Sequence, residues 1–282
     1  MKKLIAMMLT LTMVLSLAGC GGSSSSSSSD ENAESTDSKS EETAEAASDS
    51  EYVKDKGTLV VGITNFEPMD YKEEGSDEWV GFDADMAKAF AESLGVDVEF
   101  VEIDWDNKIM ELDGKTIDCV WNGMTLTDEV TSAMECSNAY CKNAQVVVVP
   151  ADKADKYQDK DSLADLSFAV ETGSAGEAEV SALGLNYTSV AAQADARMEV
   201  SAGTSDAAVI DLLMAAAMIG EGTSYANLTH TVELNSEEYG VGFRKGSDLA
   251  KALNDFFASS YADGSLLKCA EKYGVQDAVI EQ

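Results

Sequence analysis

The chain has 282 residues, with 19 Lys and Arg against 52 Asp and Glu, a formal charge of −33 at pH 7, and 45% hydrophobic residues. That balance excludes nucleic acid and anionic membrane surfaces as electrostatic partners, because both are bound by neutralising phosphates with Lys and Arg. The apolar content excludes global disorder and suits one large or two ordinary domains.

Met1-Lys2-Lys3 is a short basic start, and Leu4 to Leu17 is an apolar run. Such a run is too short for an ordinary membrane span of roughly 20 residues and fits a secretory signal. Leu17-Ala18-Gly19-Cys20 follows directly and resembles the bacterial lipobox. Residues 1–19 are then a lipoprotein signal peptide, and Cys20 becomes a diacylated N-terminus. Its two palmitate-type chains meet the requirement for stable anchoring. The alternative is an ordinary cleaved signal followed by an incidental cysteine. From Gly21 through the serine run to Lys56 the composition is polar, with ten acids against three lysines between Asp30 and Lys56. Residues 20–56 are expected to be a disordered tether, since so little apolar surface cannot offset the entropy of ordering.

The body alternates strands and helices. Thr58 to Ile63 is a continuous apolar run, as in a strand covered on both faces. Asp83 is placed to cap a helix from Ala84 to Leu94, with Met86, Phe90 and Leu94 on one face and Gly95 as its stop. Val96, Val98 and Phe100 alternate with acids in the period of a half-covered strand. A helix over Asn107 to Leu112, a strand over Ile117 to Trp121 and a helix from about Asp128 follow. The pattern restarts with strands at Val146 to Val149, Ser167 to Val170 and Ala207 to Ile210, with helices between. Leu212 to Ile219 is an apolar helix and Tyr239 to Phe243 a short strand. Helices at Leu249 to Ser260 and Leu266 to Tyr273 flank a turn at Asp263-Gly264. Strand–helix–strand order predicts an α/β fold of mostly parallel sheets, with ligands at the carboxyl ends of the strands.

Four cysteines lie in the body, Cys119, Cys136, Cys141 and Cys269, and His230 is the only histidine. An even count outside the cytoplasm permits disulfides, yet Cys119 reads as a buried thiol, and Cys136 with Cys141 stays open. No Cys-x-x-Cys spacing occurs, so neither a metal site nor a cofactor is expected.

Five segments then fall into a familiar order. Leu59-Val-Val-Gly-Ile-Thr with Phe66-Glu-Pro-Met and Gly81-Phe-Asp-Ala-Asp85 forms the first. Asn122-Gly-Met-Thr-Leu-Thr-Asp-Glu129, Glu171-Thr-Gly-Ser-Ala-Gly176, Asp206-Ala-Ala-Val-Ile-Asp211 and Tyr239-Gly-Val-Gly-Phe243 complete the set. Together they resemble the polar amino-acid binding lipoproteins of bacterial ABC importers, the family 3 extracellular solute-binding proteins, over residues 57–282. The resemblance implies a type II periplasmic-binding-protein fold. Lobe 1 would be 57–141 plus 239–282, lobe 2 would be 142–238, and two hinge crossings would let them close on a ligand. It also implies a monomer, tethered by lipid to the cell membrane in the Gram-positive manner, with an ABC permease and ATPase as partners.

A free amino acid presents an ammonium and a carboxylate, and a dry site must pair both. Asp211 matches the family's ammonium partner, and it also stands where a helix N-cap belongs. Asn122, Gly123 and Thr125 on one side, and Thr172, Gly173 and Ser174 on the other, match the loops that cradle the carboxylate; such glycines also serve plain tight turns. Phe66 and Trp105 match aromatic cleft positions and equally suit a core, whereas Trp121 reads as core. Glu171 would favour a basic ligand if it meets a cationic group.

The departure is Val130, where the family carries an arginine that forks onto the carboxylate. The two arginines here, Arg197 and Arg244, lie elsewhere. Lys108, Asn122 or backbone replaces it, or the ligand is not a standard α-amino acid. Other relatives of the fold are cyclohexadienyl dehydratases, which makes such an enzyme the alternative. With a single histidine, no nucleophile–His pair can be assembled here.

Overall fold

The computed structural model describes residues 48–282. The expected signal peptide, Cys20 and most of the tether therefore lie outside the described residues.

Composition predicts a spacer without structure to Lys56, and here the structure differs. Asp49–Lys56 form helix α1, capped by Ser48, whose Oγ accepts the Glu51 N–H, and closed by Gly57 in the left-handed region. Tertiary partners hold this polar helix in place. Val53 is fully buried, Asp248 accepts from Ser48 Oγ and the Ser50 N–H, and Arg244 reaches Asp49. Arg244 also pairs with Asp118, which is fully buried and pairs in turn with Lys56. A composition window cannot register a guanidinium 195 residues away.

The elements then follow in chain order. Strand β1 (Thr58–Ile63), the hairpin β2 (Tyr71–Lys72) and β3 (Trp79–Val80), helix α2 (Phe82–Leu94) and β4 (Asp97–Glu102) come first. A 3-10 turn at Trp105–Asn107 leads into α3 (Lys108–Asp113), β5 (Cys119–Thr125), α4 (Asp128–Ala133), β6 (Glu135–Cys136) and β7 (Cys141–Asn143). Next are β8 (Gln145–Pro150), β9 (Ser167–Glu171), α5 (Ala175–Ala182), β10 (Asn186–Val190), α6 (Gln193–Ala202), β11 (Ala207–Asp211), α7 (Leu212–Met218) and β12 (Leu228–Glu233). Strand β13 (Glu237–Phe243), α8 (Leu249–Ala262) and α9 (Ser265–Tyr273) end the body.

Two mixed sheets result. The first runs β4-β1-β5-β13-β6 with β7 also on β13, and the second β10-β9-β11-β8-β12. Each has a parallel core of three strands, β4-β1-β5 and β10-β9-β11, joined through helical crossovers. The antiparallel members are the strands on which the chain changes sheets. It leaves the first sheet between Asn143 and Gln145 and returns between Glu233 and Glu237. Each crossing is short, so the two sheets form one interleaved unit.

Burial follows the expected patterns. Strand β5 is buried at every position but the last, and β8 likewise. Trp121 is core, edge-on to Phe257 at 5.6 Å, and Leu249, Leu253 and Phe257 of α8 bury one helix face. The four cysteines are unpaired, with Cys119 and Cys141 fully buried as small apolar groups. Helix α2 starts at Phe82, two residues earlier than an Asp83 cap would place it. Asp83 is buried inside its first turn and serves another purpose, described next.

Candidate ligand-binding cleft

The carboxyl ends of β1, β5, β9 and β11 meet around a cavity of about 290 Å³ between the two sheets. That size lies at the lower end of small-molecule pockets, roughly 300–1,000 Å³. Phe66, Trp105, Asn122, Gly123, Thr125, Gly173, Ser174 and Asp211 all line it. Thr172 does not: its hydroxyl and its N–H both donate to Val190 O, because the residue ends the β9–β10 pairing.

On the first-sheet wall, polar groups expected to face a ligand are already spent. Asn122 Oδ1 accepts from the Thr64 N–H and hydroxyl, and its Nδ2 donates to Thr64 O and to Asp70 Oδ2. The Gly123 N–H donates to Asp83 Oδ2 at 2.7 Å, which also accepts from Tyr140 Oη. Thr125 Oγ1 donates to Glu237 Oε1 at 2.9 Å. Gly123 is required where it stands, since its φ is +56° and a Cβ would come within 2.5 Å of Phe66. The expected carboxylate cradle on this wall is thus a buried network that holds the loop in shape.

Asp70 and Asp83 are both fully buried in that network, with one oxygen each lacking a partner among the described residues. Burial pushes Asp83 up to about 7, and burial with the neighbouring Asp83 raises Asp70. A carboxyl raised on folding is stabilised by acid, because the native state holds the proton that the unfolded chain releases above its ordinary pKa near 4. Stability should therefore rise as pH falls from about 8 towards 4. Thermal unfolding of the free protein against pH checks this, with Asp83→Asn expected to flatten the rise. A melting temperature that drops steadily between pH 8 and 5 would contradict the assignment.

The second-sheet wall centres on Asp211. Its Oδ1 accepts from Asn143 Nδ2 and from Gln145 Nε2, and its Oδ2 accepts from Gln193 Nε2. The same Asn143 and Gln145 amides donate to Glu237 Oε1 at 2.6 and 2.8 Å. Asn143 and Gln145 flank one crossing between the sheets and Glu237 opens the strand after the other. Asp211 is therefore bonded directly to one crossing and linked to the other through those shared amides. It does not cap α7: the Leu213 N–H donates instead to Asn143 Oδ1. Asp211 keeps one oxygen, Oδ2, with room for a further donor. Burial and the nearby Glu237 raise its pKa well above the ordinary range.

The Gly173 turn differs from expectation as well. Its N–H donates to Glu177 Oε2, and Ser174 Oγ accepts the Glu177 N–H as the cap of α5. An acid of the helix's own first turn therefore occupies the place meant for a ligand anion. Gly173 instead makes a close approach, with φ +71° and the Asp106 backbone 2.8 Å from where a Cβ would lie. Lys108 closes the same seam, donating to Trp105 O and to Gly173 O at 3.2 and 3.0 Å, 5.0 Å from the Trp105 ring centre.

Val130 lines the cavity and packs with Trp105 and Met124. Neither arginine reaches it. Arg197 stacks on Tyr225, and Arg244 belongs to the α1 ion network. Lys108 is the one cationic side chain on the wall among the described residues, facing Asp128, Glu129, Glu171 and Asp211. Burial lowers its pKa. Residue typing alone missed Gln145, Gln193 and Glu237; an amide next to a crossing strand carries no signal until the chain is folded.

A two-lobed chain with a cleft at its strand ends is matched by known proteins. The model of the bacterial extracellular solute-binding proteins, family 3, matches residues 59–276. The chain belongs to this family. Among its relatives is the L-cystine-binding protein TcyJ of Escherichia coli strain K12, 28% identical over 225 residues, covering 78% of this chain and 84% of TcyJ. A mutant of ArgBP from T. maritima superposes with a TM-score of 0.74 at 30% identity, over 80% of this chain and 98% of that one. The ancestral amino acid-binding protein AncCDT-1, described as a precursor of cyclohexadienyl dehydratase, superposes at 0.73 with 31% identity, over 80% and 99%. Family 3 membership makes this an extracytoplasmic solute-binding protein of type II fold.

Proposed function

We propose that this chain is the substrate-binding component of an ABC importer and captures a polar amino acid between lobe 1 (57–141 plus 239–282) and lobe 2 (142–238). The observation that carries this reading is Asp211, a buried carboxylate on the cavity wall with one oxygen still able to accept an ammonium N–H. Pairing there alters the amide network at both crossings, so ligand occupancy and lobe closure share one set of bonds. Phe66 and Trp105 supply apolar wall and are also core residues, because each lines the cavity and belongs to a packed hydrophobic cluster. Cys20 carries the lipid that keeps a monomeric binder beside its permease and ATPase in a Gram-positive envelope.

Isothermal titration of the purified protein against the twenty amino acids, cystine and short peptides tests this. Binding of at least one of them is expected; silence across the panel would sink it. The dehydratase alternative meets a physical obstacle in the wall itself. Prephenate and arogenate carry more carboxylate than ammonium charge, and four acids with one lysine oppose them. Turnover of either compound would favour the enzyme.

A further inference from the structure

One group on the cavity wall is left without a task. Glu171 ends β9, is 2% exposed and lines the cavity, and among the described residues no donor reaches its Oε1. A buried carboxyl oxygen without a partner is costly. Asp70 and Asp83 also keep one oxygen unpartnered, but their other oxygens are bonded and neither residue lines the cavity, and Asp211, which does line it, has three amides. Lys108 is the nearest cation, yet its ammonium serves two carbonyls, and no carboxylate of the described residues lies within ion-pair distance of it. The donors of the Gly123 and Gly173 turns are spent as well. The wall is thus rich in acceptors and poor in donors, so the ligand must supply the missing donors.

We infer that Glu171 sets which amino acid the cleft accepts, by receiving a cationic group at the far end of the ligand's side chain while Asp211 takes the α-ammonium. This rests on the amino-acid reading of the cleft and narrows it to ligands with a guanidinium or amine in the side chain. Two carboxyls and two cationic groups then match in number, and Lys108, with one N–H uncommitted, is left for the ligand carboxylate.

The binding step carries a proton. Burial first, and then the neighbouring Asp211, pushes free Glu171 up to about 8; Lys108 and the Gln193 amide pull it down, and Asp195 of α6 raises it. The free cleft therefore holds Glu171 protonated at neutral pH. A cationic side chain displaces that proton to solvent, whereas a neutral side chain leaves it in place. Affinity for a cationic ligand should rise with pH to about 8 and level off above it. Any pH dependence through Asp211 is common to both ligands, so the preference for the cationic one over a neutral isostere should grow as Glu171 ionises.

L-Arginine and L-citrulline are near isosteres in which a charged guanidinium is replaced by a neutral ureido group, and they are the probes. Titration calorimetry of the purified protein from pH 6 to 9 should show arginine favoured by roughly 10- to 100-fold at pH 8.5, the range for a charge-assisted bond, with the preference shrinking towards pH 6. Glu171→Gln should abolish the preference and its pH dependence while citrulline still binds. If that variant does not fold, wild-type titrations at pH 7 in buffers of different ionisation enthalpy decide the matter. Arginine should release one proton more than citrulline, because both meet the raised carboxyl of Asp211 and only arginine meets Glu171. Equal affinity for the two in wild type, or a preference that survives in Glu171→Gln, would overturn the inference. So would binding of glutamine alone, which would leave the amino-acid reading standing and remove only the role of Glu171.

Discussion

Asp211→Asn should weaken binding of whichever amino acid the cleft takes by roughly 100-fold or more. The ligand's ammonium would meet Asp211, a carboxyl only 2% exposed on the cavity wall. Removing one member of a buried charge pair costs about 3–5 kcal/mol, and each 1.4 kcal/mol is tenfold in affinity. The substitution keeps shape and one acceptor oxygen, so it removes charge with little change in packing. Titration calorimetry reads the affinity, and a melting curve recorded beside it separates lost binding from lost folding. An unchanged affinity in a normally folded variant would mean that Asp211 serves the crossings and not the ligand.

Arg244→Met should lower stability by about 3 kcal/mol, the lower part of the range for breaking a buried ion pair. Arg244 donates to Asp49, to Asp118, and to the Ile117 and Leu112 carbonyls. Methionine fills the space but leaves Asp118, fully buried, with Lys56 and the Val60 N–H alone. At about 2–4 °C per kcal/mol for a domain of this size, the melting temperature should fall by about 6–12 °C. The same variant should free α1 and expose the Asp49–Lys56 segment to proteolysis. A melting temperature within about 2 °C of wild type would show that the network contributes nothing net, as exposed ion pairs often do.

Much of the architecture was legible because its causes are local. Apolar runs at β1 and β8, alternation at β4 and the stripe of α8 each repeat within a few residues, and those periods survive folding. Strand β12 was not anticipated, since its burial alternates irregularly around a bulge near His230. Helix α1 was misread for the opposite reason, since its own residues do not stabilise it.

For the cleft, position was legible and chemistry less so. Resemblance to the family pointed to Phe66, Trp105, Gly173, Ser174 and Asp211, which all line one cavity, and Val130 lines it with them. Donor availability was not readable. The Gly123 N–H is taken by an aspartate 40 residues away and the Thr125 hydroxyl by a glutamate 112 residues on. The large negative charge takes on a different meaning in this setting. As composition it only excluded nucleic acid and anionic surfaces; in the fold it becomes a cavity wall with four acids and one lysine.

From its residues alone this chain determined its strands, its helices and the loops that would meet, because hydrophobic period and turn chemistry act over short stretches. Tertiary structure decided which polar groups remain free once those loops have met. Hydrogen bonds saturate, and whether Glu171 is left waiting while Asp211 is served depends on partners that only the folded chain brings within 3 Å.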